Sequence, residues 1–144
     1  PDLIPLGPLA AVEGTSFDFN QFKTIARDFL ADDQQRQAQG YDHAYLLDVQ
    51  CRDMAAVAAT AVSGDGRLSM DLYTTKPGLQ FYSGNYLAGI PARHGGVYEA
   101  NQGLALETQF LPDSPNHPEW PQDDCWLQPG QTYRHTTVLA FRTN

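Results

Sequence analysis

The chain has 144 residues, the length of one domain, and its 42% hydrophobic and 11% aromatic residues are typical of a globular protein. Its formal charge of −8 repels nucleic-acid phosphates and anionic membranes, so we expect a neutral ligand. No apolar run approaches the roughly 18 residues of a membrane span, and we expect a cytoplasmic protein.

The amino-terminal part of the chain carries little strand pattern. Residues 1–20 are predicted to be extended, because three prolines in the first eight positions restrict the backbone. Between Phe22 and Gln37 apolar residues recur at roughly helical spacing, which predicts a short helix. Aspartates and glutamines fill the far half of this segment, so we predict a surface loop there that ends at Gly40.

Short strands are predicted through the rest of the chain, from apolar residues bounded by turn signals. They cover residues 45–49, 55–62, 67–75, 79–83, 104–110 and 132–141. Glycines in the turns at 63–66 and 128–131 can adopt positive φ, and the second is predicted to be a type II turn. In the 67–75 strand Leu68 and Met70 alternate with Ser69 and Asp71. The second pair is therefore predicted to face solvent.

The spacing of these strands predicts the fold class. Six or seven short strands follow one another without the alternation of strand and helix that builds parallel sheets. The sequence therefore predicts an all-β protein, an antiparallel β-sandwich, with residues 1–144 in a single domain.

The two cysteines and the histidines give no sign of a metal or redox site. Cys51 and Cys125 are far apart and form no Cys-x-x-Cys pair, so a reduced pair is expected, with a single disulfide as the alternative. His117 with Glu119, or with Cys125, fits no zinc spacing, and the prolines around it favour a rigid scaffold. We expect no metal.

Glu107 is the one ionisable residue in the 104–110 strand. If Leu104, Leu106 and Phe110 face a core, Glu107 lies on a second, small and polar face. A loop with four prolines, residues 111–121, follows at once and cannot continue a ladder of hydrogen bonds. Spacing alone favours a solvated carboxylate, although a carboxylate before a stiff loop also fits a catalytic placement.

Three segments carry a resemblance to a known family: Gly-Tyr-Asp-His at 40–43, Gln-Phe-Tyr-Ser-Gly-Asn at 80–85, and Leu-Glu-Thr-Gln-Phe-Leu-Pro-Asp-Ser-Pro-Asn-His-Pro at 106–118. In this order they resemble the carboxy-terminal half of galactose mutarotases, the aldose 1-epimerases, and the similarity extends from Gly14 to the last strand. The resemblance implies a large antiparallel sandwich, or supersandwich, of which this chain supplies about half. It also implies exchange of the α and β anomers of galactose or glucose, without a cofactor.

The resemblance also implies roles for three residues. The catalytic base of the family falls on Glu107, and ligands of sugar hydroxyls fall on Asp42 and Gln80. The family's general acid is a histidine of the first half, and none of the four histidines here stands in that segment, so no acid is carried over. We expect the hexose as ligand, and the missing amino-terminal half or another copy as the partner that completes the fold.

Two alternatives stay open. Because the acid is missing, the chain can be a carbohydrate-binding module without turnover. Asp42 and Glu107 can instead be the carboxylates of a glycosidase, which would stand about 5–5.5 Å or 6.5–9.5 Å apart. His43, Tyr82 and Trp120 are weaker site candidates, for which a structural role is the more common one.

Overall fold

A computed structural model describes residues 3–5 and 7–143 of the chain. In chain order its elements are a 3₁₀ helix Ile25–Asp28, α1 Asp33–Ala38, β1 Asp42–Leu46, α2 Val49–Arg52, β2 Ala59–Val62, β3 Leu68–Thr74, β4 Gly78–Tyr82, β5 Ala105–Gln109, a 3₁₀ helix Ser114–Asn116 and β6 Thr137–Thr143. Strands predominate and the helices are one or two turns long, so the prediction of a sheet-based fold is confirmed.

The strands form two three-stranded sheets, in the orders β1-β4-β5 and β2-β3-β6. In the second sheet both pairings are antiparallel, with Ala59 opposite Leu72 and Met70 opposite Phe141. The chain divides into two compact units, one formed by the described residues up to His43 with Gln80–Leu106, and the other by Ala44–Leu79 with the residues from Glu107 onward.

The core of the first unit is aromatic. Tyr41 is completely buried, and its ring stacks on Phe81 with centroids 5.1 Å apart. Phe19 meets both rings edge-on, at 5.4 Å from Tyr41 and 5.6 Å from Phe81. Such edge-to-face and offset pairs add to the stabilisation that burial provides, so the Tyr41 side chain has a single well-packed position.

The helical segment differs from its prediction. The expected surface loop in its far half is wrong, because α1 lies there and only a 3₁₀ turn forms in the near half. Asp32 caps α1 by accepting a hydrogen bond from the Gln34 N–H at 2.8 Å, and Gln35 is fully buried. The Gln35 side chain accepts from the Ala31 N–H at 2.9 Å. The cap and the hydrogen bond of the buried Gln35 side chain thus stabilise a helix in a segment whose polar composition predicts a loop.

The first strand is displaced from its predicted position at 45–49. β1 covers Asp42–Leu46, and Val49 begins α2 instead of ending a strand. The apolar run across this boundary hides the change from strand to helix, because a short run fits either. As a result Asp42 opens a strand of the sheet. The predicted strand at 55–62 similarly forms only from Ala59.

The predicted solvent face of β3 is wrong. Ser69 and Asp71 are 7% and 4% exposed, whereas Leu68 is 45% exposed. The Asp71 carboxylate accepts a hydrogen bond from Thr60 Oγ1 at 2.8 Å and forms an ion pair with Arg142. A polar face can be buried when its groups find such partners.

The Asp71 cluster predicts a pH dependence of stability. The hydrogen bond from Thr60, and then Arg142, lower the pKa of Asp71. A carboxyl group whose pKa is lower in the folded state than in the unfolded state stabilises the fold at a pH above its unfolded pKa, which is near 4. This stabilisation is lost as the pH falls through the folded pKa. We expect Asp71→Asn to flatten the fall of Tm as the pH drops below the unfolded value near 4, measured by calorimetry on the full-length protein. The exposed control Asp123→Asn should follow the wild-type curve, and an Asp71→Asn curve parallel to wild type would contradict the prediction.

The last strand starts later than predicted, at Thr137 instead of residue 132. The Thr136 N–H donates to Thr75 Oγ1 at 2.9 Å, and the buried Lys76 ammonium donates to the Tyr133 hydroxyl. The same ammonium lies 4.1 Å from the centroid of Phe110. Side-chain contacts therefore hold residues 132–136, for which the hydrogen-bond ladder of a strand was predicted.

The thiols fit the sequence-based expectation. Cys51 and Cys125 are both free, which agrees with the expected reduced pair. Burial raises the pKa of the Cys51 thiol. Within the described part of the chain, no helix is long and apolar enough to cross a membrane.

Candidate active site

Asp42 and Gln80 are brought together in the first unit. Asp42 is the first residue of β1, and Gln80 is the middle residue of β4. The Gln80 side-chain amide donates from Nε2 to Asp42 Oδ1 at 2.7 Å, and both side chains are half-buried. These residues are 38 positions apart in the sequence, so only the pairing of strands explains their contact.

The bond fixes the orientation of the Gln80 amide. A carboxylate can only accept hydrogen bonds, so the amide must turn its NH₂ group toward Asp42 and its oxygen away. That oxygen, Oε1, is buried and has no hydrogen-bond partner among the described residues. A buried acceptor without a partner is costly, which favours a ligand that donates to it. Hydroxyl groups are such donors.

His43 follows Asp42 directly and has a structural role. Its Nδ1 accepts a hydrogen bond from the Asp42 N–H at 3.0 Å, and its ring lies 4.6 Å from the ring of Phe17. Burial lowers the pKa of His43. An accepting Nδ1 requires the neutral imidazole with its proton on Nε2, so His43 braces the start of β1 without carrying charge.

Glu107 lies in the second unit, as the third residue of β5. Its side chain is exposed, and its carboxylate makes no hydrogen bond or ion pair with any described residue. The neighbouring Thr108 is tied to Thr137 by a 2.7 Å hydroxyl contact. Leu104 does not face a core, since its side chain is 46% exposed and it precedes the strand. Glu107 thus presents a free carboxylate from a strand of the β1-β4-β5 sheet.

The proline-rich loop is an ordered scaffold. His117 stacks on Trp120 with ring centroids 4.1 Å apart and contacts the carboxylates of Glu119 at 2.9 Å and Asp113 at 3.5 Å. Trp120 is only 7% exposed, so its indole anchors the loop. Over the residues that the structure describes, no cluster of three or more histidine, cysteine, aspartate or glutamate side chains could hold a metal ion.

The buried contacts of Ser83 and Asn85, within the 80–85 segment, were not predicted from the sequence. Both side chains are buried and hydrogen-bonded to the backbone of Tyr41, the residue before Asp42. Small polar residues around a glycine are typical of a loop, and nothing in their spacing indicates a partner 42 and 44 residues earlier. The available signal was that this segment and the Asp42 segment both carry the family resemblance.

Comparison with known proteins identifies the family. The family model described as aldose 1-epimerase matches residues 1–140 of the chain. The chain belongs to the aldose 1-epimerase family. The resemblance predicted from the three segments is therefore confirmed.

Relatives within this family include bacterial and mammalian proteins. The aldose 1-epimerase of Escherichia coli is 56% identical over 138 residues, and that of Haemophilus influenzae is 44% identical over 139 residues. The galactose mutarotase of Homo sapiens is 36% identical over 140 residues. Each alignment covers 96% of this chain but only 39–40% of the relative, so the chain spans about 40% of the length of these curated relatives.

Solved structures of the family share the fold. The galactose 1-epimerase of Lactobacillus acidophilus superimposes with a TM-score of 0.76 at 25% sequence identity, over 98% of this chain and 39% of that one. An aldose epimerase homologue from C. elegans gives a TM-score of 0.74 at 23% identity, over 97% and 40% of the two chains. The predicted mutarotase-like β fold, present here in part, is confirmed.

Proposed function

We propose that this chain carries part of the active site of an aldose 1-epimerase that exchanges the α and β anomers of galactose or glucose. The observation that carries the proposal is the Asp42–Gln80 pair, which leaves a buried amide oxygen free to accept from a hydroxyl group. Membership of the aldose 1-epimerase family supports the same chemistry. A neutral sugar also suits a chain with a formal charge of −8.

The exchange needs one base and one acid. A base removes the proton of the C1 hydroxyl, the bond from C1 to the ring oxygen breaks, and an acid protonates that oxygen. The C1 aldehyde then rotates about the C1–C2 bond. The former ring oxygen attacks the opposite face of the carbonyl, and the two proton transfers run in reverse to close the ring. We assign the base to Glu107, whose carboxylate is exposed and bonded to no described side chain, so no internal partner competes for the proton.

Asp42 and Gln80 are assigned to sugar recognition. With one carboxylate oxygen of Asp42 bonded to Gln80, the other oxygen and the Gln80 Oε1 are the acceptors left for hydroxyl protons. Hydrogen bonds to an ionised carboxylate are stronger than neutral ones, so Asp42 provides most of the affinity and Gln80 adds direction.

The acid is assigned to a part of the active site outside residues 1–144. We propose that residues 1–144 form the carboxy-terminal portion of a single domain, because the relatives are more than twice as long. The remaining portion of a longer protein, or another copy, would supply the acid and cover strand edges that are otherwise open to pairing.

Polarimetry of freshly dissolved α-galactose tests the proposed function. We expect the full-length protein to accelerate the approach to the equilibrium rotation well beyond the buffer rate. A calorimetric titration with galactose, run in parallel, separates catalysis from simple binding. Binding without acceleration would contradict the epimerase and favour a carbohydrate-binding module.

Removing the Asp42 carboxylate should weaken sugar binding. We expect Asp42→Ala to raise the KM for galactose by about tenfold to about a hundredfold, because a hydrogen bond to a charged group contributes about 1.5–3 kcal/mol. Steady-state polarimetry over a range of sugar concentrations measures the change. Asp48→Ala is the matched control, since Asp48 is exposed and makes no side-chain cap on α2. An unchanged KM in a folded Asp42→Ala protein would remove Asp42 from the site.

A further inference from the structure

The backbone just before Asp42 is held by the segment that follows β4. The Tyr41 N–H donates to Ser83 Oγ at 2.9 Å. The Tyr41 carbonyl accepts from the Ser83 N–H at 3.0 Å and from Asn85 Nδ2 at 3.1 Å. Both backbone polar groups of Tyr41 are thus bonded to the same segment, and the peptide bond that leads into Asp42 is fixed on its carbonyl side.

Asn85 joins these contacts into one network. Its Oδ1 accepts from Ser83 Oγ at 2.6 Å, and its Nδ2 also donates at 2.8 Å to the carbonyl of Ala38, the last residue of α1. Ser83 and Asn85 are each only 4% exposed. A buried polar network in which every group is bonded has one defined geometry, because loosening any member leaves its neighbours unpaired.

Close packing leaves this network no room to shift. A Cβ placed on Gly40 would lie 2.2 Å from Asn85 Oδ1 and 2.6 Å from Ser83 Oγ. On the other side the ring of Tyr41 is stacked on Phe81, which follows Gln80 in β4. Asp42 therefore starts its strand from a backbone held by hydrogen bonds and by aromatic packing, and both come from the segment 81–85 that follows Gln80.

We propose that Asn85, acting through Ser83 and the Tyr41 backbone, is a positioning residue that holds the Asp42 carboxylate against Gln80 and so sets the affinity for the hexose. The identity of the ligand as a hexose rests on the proposed function. The positioning of Asp42 rests on the observed hydrogen-bond network. Among the described residues, the hydrogen bonds of Asn85 go to Ser83, Ala38, Tyr41 and Asn101, and none goes to the side chains of Gln80 or Asp42. Its loss should therefore act on binding and leave the chemical step at C1 almost unchanged.

The side-chain amide of Gln80 reports the positioning directly. In an NMR spectrum of the full-length protein its resonance can be assigned by its absence in Gln80→Leu. We expect Asn85→Ala, and the milder Ser83→Ala, to move or broaden this resonance as the bond to Asp42 loosens. Ser114→Ala is the matched control, because Ser114 is a buried serine in the proline-rich loop whose Oγ accepts from the Gln122 amide at 2.7 Å. A Gln80 resonance that is unchanged in a folded Asn85→Ala or Ser83→Ala protein would overturn the proposal.

A double-mutant cycle separates positioning from a general loss of stability. We expect Asn85→Ala to raise the KM for galactose by about tenfold while kcat stays within about threefold of wild type. In an Asp42→Ala background the same change should alter KM by less than about twofold, because Asn85 then has no carboxylate to hold. Independent, additive effects would overturn the proposal. If the wild-type protein does not accelerate anomer exchange, the proposed function fails, and the Gln80 resonance still decides the positioning.

Discussion

Replacing Glu107 by glutamine is expected to reduce kcat for anomer exchange by about 10²-fold to 10⁴-fold, the usual contribution of a positioned general base. Glutamine keeps the length and shape of the side chain but cannot take the proton of the C1 hydroxyl. Because the carboxylate makes no bond to any described residue, the fold should lose nothing by the change. Polarimetry with saturating α-galactose measures kcat, and thermal unfolding checks the fold.

Glu99→Gln is the matched control for Glu107. Glu99 is also an exposed glutamate, and its substitution changes the net charge by the same amount. We expect Glu99→Gln to retain wild-type kcat. A Glu107→Gln protein with wild-type kcat would remove Glu107 from the chemistry and leave it as the solvated carboxylate that strand spacing alone suggests.

Replacing Gly84 by alanine is expected to destabilise the fold by about 3–4 kcal/mol. Gly84 has φ +73°, and a Cβ there would lie 2.4 Å from the carbonyl oxygen of Gly103 and 2.9 Å from Leu87 Cδ1. The carbonyl belongs to the backbone, so the clash can be relieved only by moving the chain. Urea unfolding of the full-length protein measures the change.

Gly89→Ala separates the clash from backbone strain. Gly89 has φ +82°, but a Cβ there meets nothing within 4 Å. Its substitution should cost only about 1 kcal/mol, the usual penalty for a side chain in the left-handed region. If the two variants lose equal free energy of unfolding, backbone strain accounts for both losses, and the backbone at Gly103 moves away from the new Cβ without an energetic cost.

Elements dominated by local signals were predictable from the sequence. Alternation located β3, β4 and β5 to within two residues, and glycine located the turn at 128–131, where Gly130 has φ +85° and the Gln131 N–H donates to the Gln128 carbonyl. The burial of the polar face of β3, with Ser69 and Asp71, was not predictable. That depends on Arg142, which lies 71 positions after Asp71 in the sequence and satisfies its carboxylate.

The candidate site shows the same division between local and distant information. Strand spacing could single out Glu107, yet could not pair Asp42 with Gln80, because that contact depends on which strands become neighbours. The family resemblance selected all three residues, and their catalytic and binding roles stay predictions. Neither approach found the contacts of Ser83 and Asn85, because these side chains bond to the backbone of another segment.

The segment from Gln80 to Asn85 has a consequence for how this protein can change during evolution. It supplies an amide to the candidate sugar pair, an aromatic ring to the core and two side chains to a buried network. We therefore expect a substitution within these six residues to affect the proposed sugar recognition and the folding together. We expect changes of the proposed sugar preference to arise more easily outside the segment, where selection on specificity is not opposed by selection against unfolded protein.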